Sequence, residues 1–124
     1  MAGPEARERD RWLGEVGALQ GFYVTRCEPM SNQWHVQALP DGFPDVLCVG
    51  NGIIALVEWK SATGRKRESQ VKLHAALAKA GYRVLIARDA GQCCRDLAAI
   101  FGGEIAVALL KCAESLDAKK IAAG

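Results

Sequence analysis

The sequence predicts an α/β domain built around a small mixed sheet. Three observations carry that expectation. Two apolar runs, 45–49 and 53–57, flank Asn51-Gly52, a strong hairpin signal. A helix-period segment, 68–80, separates the second run from a further apolar run at 83–87. An amphipathic segment precedes them all, and the elements read in order α-β-β-β-α-β-α-α.

The first element spans Pro4 to Gln20, with Trp12, Leu13, Val16 and Leu19 at helical spacing. Pro4 suits a first helical turn and Gly21 a C-terminal stop, while Gly14 and Gly17 each weaken the helix by ~1 kcal/mol. Phe22 to Arg26 is a short β-like run. Residues 28–43 carry Pro29, Asn32, Pro40, Asp41 and Gly42 without a sustained period and read as a long loop. The hairpin follows, then a turn at Ser61–Gly64, a helix from Glu68 to Ala80 stopped by Gly81, and a buried strand Arg83–Ala87. Arg95–Phe101 and Glu104 to about Leu116 make two more helices, split by Gly102-Gly103, with fraying expected after Asp117. The span 105–110 is apolar nearly all round. It calls for burial on more than one side, either within the chain or against a second copy.

A length of 124 residues fits one domain, 1–124, with a core of about 4–90 and C-terminal helices over 91–124. The net charge of +2 neither demands nor excludes a nucleic-acid partner. No apolar run approaches the ~20 residues of a membrane span, and the first ten residues lack a hydrophobic signal segment, so a cytoplasmic protein is expected. Five cysteines with no C-x-x-C pair argue against a disulfide framework and a zinc ribbon, leaving reduced, packed thiols.

The hairpin has a chemical consequence. With Asn51-Gly52 at the centre of a type I′ turn, paired residue numbers sum to 103, which sets Asp45 opposite Glu58. Opposed residues have Cβ atoms ~4.5–5.5 Å apart on one face, and Lys60, two residues on, shares that face. Two facing carboxylates repel, and Lys60 or a divalent cation is the natural compensation. A hard cation such as Mg²⁺ takes carboxylate oxygens and leaves positions for water and a phosphate. Asp45, Glu58 and Lys60 thus read as a metal-assisted phosphodiester hydrolysis site. On spacing alone, a structural ion pair at the sheet edge is the simpler reading.

The longer stretch decides between them. Gly42-Phe43-Pro44-Asp45, Glu58-Trp59-Lys60, Gly64 with Gln70, and Gly81 with Val84 together resemble the VRR-NUC family of the PD-(D/E)xK nuclease superfamily. The resemblance is close over about 42–90 and looser over the first helix. It implies a restriction-endonuclease-like core and a Mg²⁺- or Mn²⁺-dependent DNA endonuclease. It also implies metal binding by Asp45, Glu58 and the Trp59 backbone carbonyl, catalysis by Lys60, and support from Gln70. The Trp59 ring itself should pack on the opposite face. The family places a further glutamate on the first helix, where Glu5, Glu8 and Glu15 compete; Glu8 is favoured because it heads the face of Trp12 and Val16.

Small stand-alone members resemble phage proteins and Holliday-junction resolvases, which implies a bacterial host cell, a branched-DNA substrate and a homodimer. A monomeric flap or nicking nuclease and a catalytically inactive DNA-binding module are the alternatives. Residues 60–72 hold five cations against one acid, and Arg65, Lys66, Arg67 and Lys72 are expected on DNA phosphates, with Arg26 a further candidate. His74 shares a helical face with Gln70, and Trp34 and His35 lie in the long loop, where Trp34 has the chemistry to stack on a base.

Overall fold

The computed structural model describes residues 3–27 and 42–123. Its elements are α1 (Pro4–Val16), β1 (Tyr23–Arg26), β2 (Val46–Gly50), β3 (Ile53–Trp59), α2 (Glu68–Lys79), β4 (Arg83–Ala87), α3 (Ala90–Phe101) and α4 (Gly103–Ala123). The order is the one the sequence predicts, and the fold is a mixed α/β, restriction-endonuclease-like arrangement. Met30, Trp34 and His35 lie outside the described residues.

The sheet runs β1-β2-β3-β4. β1 and β2 pair antiparallel, as do β2 and β3, whereas β3 and β4 are parallel because α2 provides the crossover between them. Val46 pairs with Val57 and Gly50 with Ile53, the register expected from the turn. Asn51 and Gly52 both have positive φ, +50° and +73°, as a type I′ turn requires. The Asn51 amide also donates to the Phe101 carbonyl at 3.2 Å, tying the turn to the end of α3.

One face of the sheet carries Val46, Cys48, Ala55, Val57 and Trp59 into a core shared with α1, α3 and α4. The Trp59 ring packs there as expected, 5.6 Å from that of Trp12. The opposite face carries Leu47, Leu56 and Glu58 under α2. Four of the five cysteines are buried and none is bonded to another. Burial pushes the Cys48 and Cys94 thiols up to about 12, so they are inert packing groups.

Three boundaries depart from expectation. α1 stops at Val16 rather than Gln20, with the Gly17 amide closing on the Leu13 carbonyl. α3 begins at Ala90, five residues before the expected Arg95, because the Asp89 carboxylate caps it by accepting from the Gln92 amide at 2.9 Å. α4 continues to Ala123 instead of fraying after Asp117. Its last turns are tethered by Arg95–Asp117 and Lys120–Asp89 ion pairs at 2.7 Å and by Lys119 on Glu15. α4 packs Ile105, Leu109, Cys112, Ala113 and Leu116 inward and leaves Val107 and Leu110 exposed. Among the described residues no helix is long and apolar enough to cross a membrane.

Gly42 fixes the approach to the site. Its φ is +86°, and a Cβ there would lie 2.8 Å from the Ser69 backbone. Only glycine lets this segment press on the first turn of α2, two residues before Pro44-Asp45. Gly42→Ala is expected to lower stability by about 1–3 kcal/mol, read as a shift in the urea midpoint at constant m-value.

Candidate metal centre

The candidate centre lies where the ends of β2 and β3 meet the start of α1. Asp45 sits just before β2, and its main chain is held by β1 through the Cys27 amide, which donates to the Asp45 carbonyl at 2.7 Å. Its side chain reaches across to β3, where Oδ2 accepts from the Trp59 amide at 2.8 Å. Glu58 lies on the strand between two hydrogen-bonded neighbours and is only 2% exposed. Glu5, Asp45 and Glu58 each bring one carboxylate oxygen within 4.8 Å of the others.

Burial, then the charge of Asp45, pushes the Glu58 carboxyl up to about 8, against partial relief from Lys60. The Lys60 ammonium is 3.8 Å from Glu58 Oε2. On the other side His74 Nε2 is 4.0 Å from Glu58 Oε1, too far for a hydrogen bond. Glu58 Oε1 and both His74 nitrogens are buried without a hydrogen-bond partner among the described residues. Burial and the nearby Lys66 charge hold His74 below its ordinary range, which favours the neutral ring. Three carboxylates gathered at one end of the sheet, one of them buried, fit a hard divalent cation, which takes oxygen ligands.

The three candidate glutamates of α1 have separate surroundings. Glu5 is the one beside Asp45 and Glu58. Glu8, favoured by the sequence, accepts from Arg11 Nε at 2.7 Å and from the Ala90 amide at 3.2 Å, docking α1 onto the start of α3. Glu15 accepts from Ser115 and Lys119 and docks α1 onto α4. The Trp12 face was the right guide to direction. Glu5 lies on it too, seven residues before Trp12, but three residues, about 4.5 Å, further out along the axis than Glu8.

The remaining candidates divide as follows. Gln70 is buried, and its Oε1 accepts from the Arg67 amide at 2.9 Å, so it caps its own helix one turn before His74. Arg65, Lys66 and Arg67 are exposed between β3 and α2. Lys72 is exposed and paired with Glu68 at 3.1 Å. Arg26 pairs with Val46 across the sheet, which puts it on the face opposite Glu58. The Trp59 main chain touches Asp45 through its N–H. Sequence reasoning passed over Glu5 as first choice and gave the buried His74 no part beside Glu58.

No family model matches the sequence, and no curated protein does. A solved structure described as a VRR_NUC domain superposes with a TM-score of 0.56, covering 73% of this chain and 90% of its own length at 25% identity.

The raised Glu58 carboxyl has a measurable consequence. In the unfolded chain it ionises near 4.5, whereas the folded protein without metal keeps its proton to about 8. The folded state therefore binds more protons between those values, and stability falls as pH rises through that window. In EDTA, Glu58→Gln is expected to melt closer to wild type at pH 5 and clearly above it at pH 8, by differential scanning calorimetry. A difference that does not change with pH counts against the assignment.

Proposed function

The chain belongs to the VRR-NUC family, and from that premise we propose that it is a metal-dependent DNA endonuclease that hydrolyses phosphodiester bonds in branched DNA. The observation that carries this reading is the convergence of Glu5, Asp45 and the buried Glu58, each with one carboxylate oxygen within 4.8 Å of the others, with the Lys60 ammonium 3.8 Å from Glu58. Asp45 and Glu58, joined by Glu5 and the Trp59 carbonyl, would hold Mg²⁺ or Mn²⁺. When bound, such a cation supplies Lewis-acid polarisation of the phosphate and lowers the pKa of water.

The chain's own groups do the rest. Asp45 is fixed on both sides, by β1 through its carbonyl and by Trp59 through its carboxylate, so its second oxygen is presented in one orientation. Lys60, whose main-chain N–H donates to the Ala87 carbonyl at 2.9 Å, would use its ammonium to orient the attacking water and offset charge on the phosphorus oxygens. Gln70 supports this arrangement indirectly by fixing the start of α2, from which His74 packs against Glu58. The exposed Arg65, Lys66 and Arg67 supply phosphate contacts that position DNA without reading its sequence, and Lys72 extends that surface. A junction resolvase must make two symmetric cuts, which needs two chains; the exposed Val107 and Leu110 of α4 are the surface we assign to a homodimer contact.

The test incubates the protein with four-way junction, flap and linear duplex DNA in Mg²⁺, Mn²⁺ and EDTA. Cutting is expected with either metal and none in EDTA. Lys60→Ala should lower the rate by ~10²–10⁴-fold and Asp45→Asn should remove measurable cutting. Paired symmetric nicks support the dimeric resolvase, whereas single flap cuts favour a monomer. Cutting that persists in EDTA or in both variants overturns the mechanism.

A further inference from the structure

A cleft of about 380 Å³ opens beside the carboxylates, between the start of α1, the segment after β3 and the turn from β4 into α3. Four cations line it: Arg7 and Arg11 from α1, Lys60 after β3, and Arg88 after β4. Arg7 and Arg11 are four residues apart and so share one helical face. Lys60 belongs to both places, since it lines the cleft and its ammonium stands 3.8 Å from Glu58.

The charge in the cleft is poorly compensated. Among the described residues Glu8 is its only acid, and both of its oxygens are engaged, one by Arg11 and one by the Ala90 amide. Among the described residues the Arg7 side chain has neither an ion-pair nor a hydrogen-bond partner. Arg88 donates one N–H to the Ser61 carbonyl at 2.5 Å, which aims the guanidinium while leaving its other donors to point elsewhere. Cations gathered in a concave site repel one another unless an anion joins them, and a guanidinium fork matches two phosphate oxygens at once. Pro4, at the start of α1, lines the same cleft and brings the positive end of the helix to it.

We infer that this cleft is a second phosphate site, holding a backbone phosphate of the cut strand next to the scissile one through Arg7 and Arg88, with Arg11 and Lys60 in support. The inference rests on the nuclease reading above for its substrate. DNA would then be gripped on both sides of the metal centre, by the exposed Arg65–Arg67 segment on one side and by the α1 cleft on the other. The first grip is contiguous in sequence. The second exists only in the fold.

Binding of a labelled four-way junction and of the matching linear duplex is measured in EDTA across a range of salt, so that no cutting intervenes. Arg7→Ala and Arg88→Ala are each expected to weaken binding and to flatten the slope of log K against log salt by ~0.9 on duplex DNA, and the double variant by ~1.8. The double lysine variant, R7K with R88K, keeps the charge and should keep the slope while binding less tightly. It also controls for the lost Ser61 contact if R88A melts early. A double alanine variant with wild-type affinity and slope overturns the inference, as does a wild type that binds neither DNA. Slope loss without cutting in any metal would leave the cleft standing and remove the nuclease reading. Cutting with unchanged slopes would do the reverse.

Discussion

The pairing of β2 with β3 is the constraint on which the rest depends. The Asn51-Gly52 turn, with both residues at positive φ, fixes a register in which numbers sum to 103. A slip of one residue would send every side chain of a strand to the other face. Trp59 would then lose its place against Trp12, and Glu58 would enter the apolar core. The same register that buries Val46, Val57 and Trp59 therefore delivers Asp45 and Glu58 together at the end of the sheet. Core and candidate metal centre are alternate residues of one ladder.

That arrangement is costly without a cation. Glu58 is buried, faces Asp45 and Glu5, and is only partly offset by a Lys60 ammonium at 3.8 Å. Its carboxyl responds by holding its proton to about 8. The surrounding contacts hold the arrangement in place despite this. Gly42 presses the incoming segment onto α2, the Trp59 amide fixes the Asp45 carboxylate, and Glu8 and Glu15 dock α1 on α3 and α4 so that Glu5 reaches the strand ends. Carboxylates crowded together in this way are the oxygen donors that a small hard cation takes.

Much of this was legible in the sequence, for identifiable reasons. The hairpin was readable because Asn-Gly specifies both the turn and its register, and β4 because an uninterrupted apolar run after Gly81 permits little else. The start of α3 was passed over because Gly91 reads as a helix breaker, although Asp89 with Gln92 three residues on is an N-terminal capping signal; Gly91 is there because the Asp117 carboxylate of α4 sits where its Cβ would be. The persistence of α4 past Asp117 depends on ion pairs to residues 15 and 89, which no local window contains. Glu5 was missed in favour of Glu8 because helical periodicity gives the direction of a side chain, while reach past the sheet end depends on where α1 sits along its axis. The Arg7, Arg11 and Arg88 cleft was invisible for the same reason: it is assembled from elements more than seventy residues apart.

The activity proposed for this chain turns on Glu5, Asp45 and Glu58 together holding a divalent cation. That is tested most directly by titrating the metal-free protein with Mn²⁺, by calorimetry or by the loss of free-ion electron paramagnetic resonance signal. The comparison is between wild type, Glu5→Gln and Glu8→Gln. Glu5→Gln is expected to weaken binding by about tenfold or more, ~1.4 kcal/mol, and Glu8→Gln to leave it unchanged. Full affinity in Glu5→Gln with loss in Glu8→Gln, or no Mn²⁺ binding by wild type, would contradict this expectation.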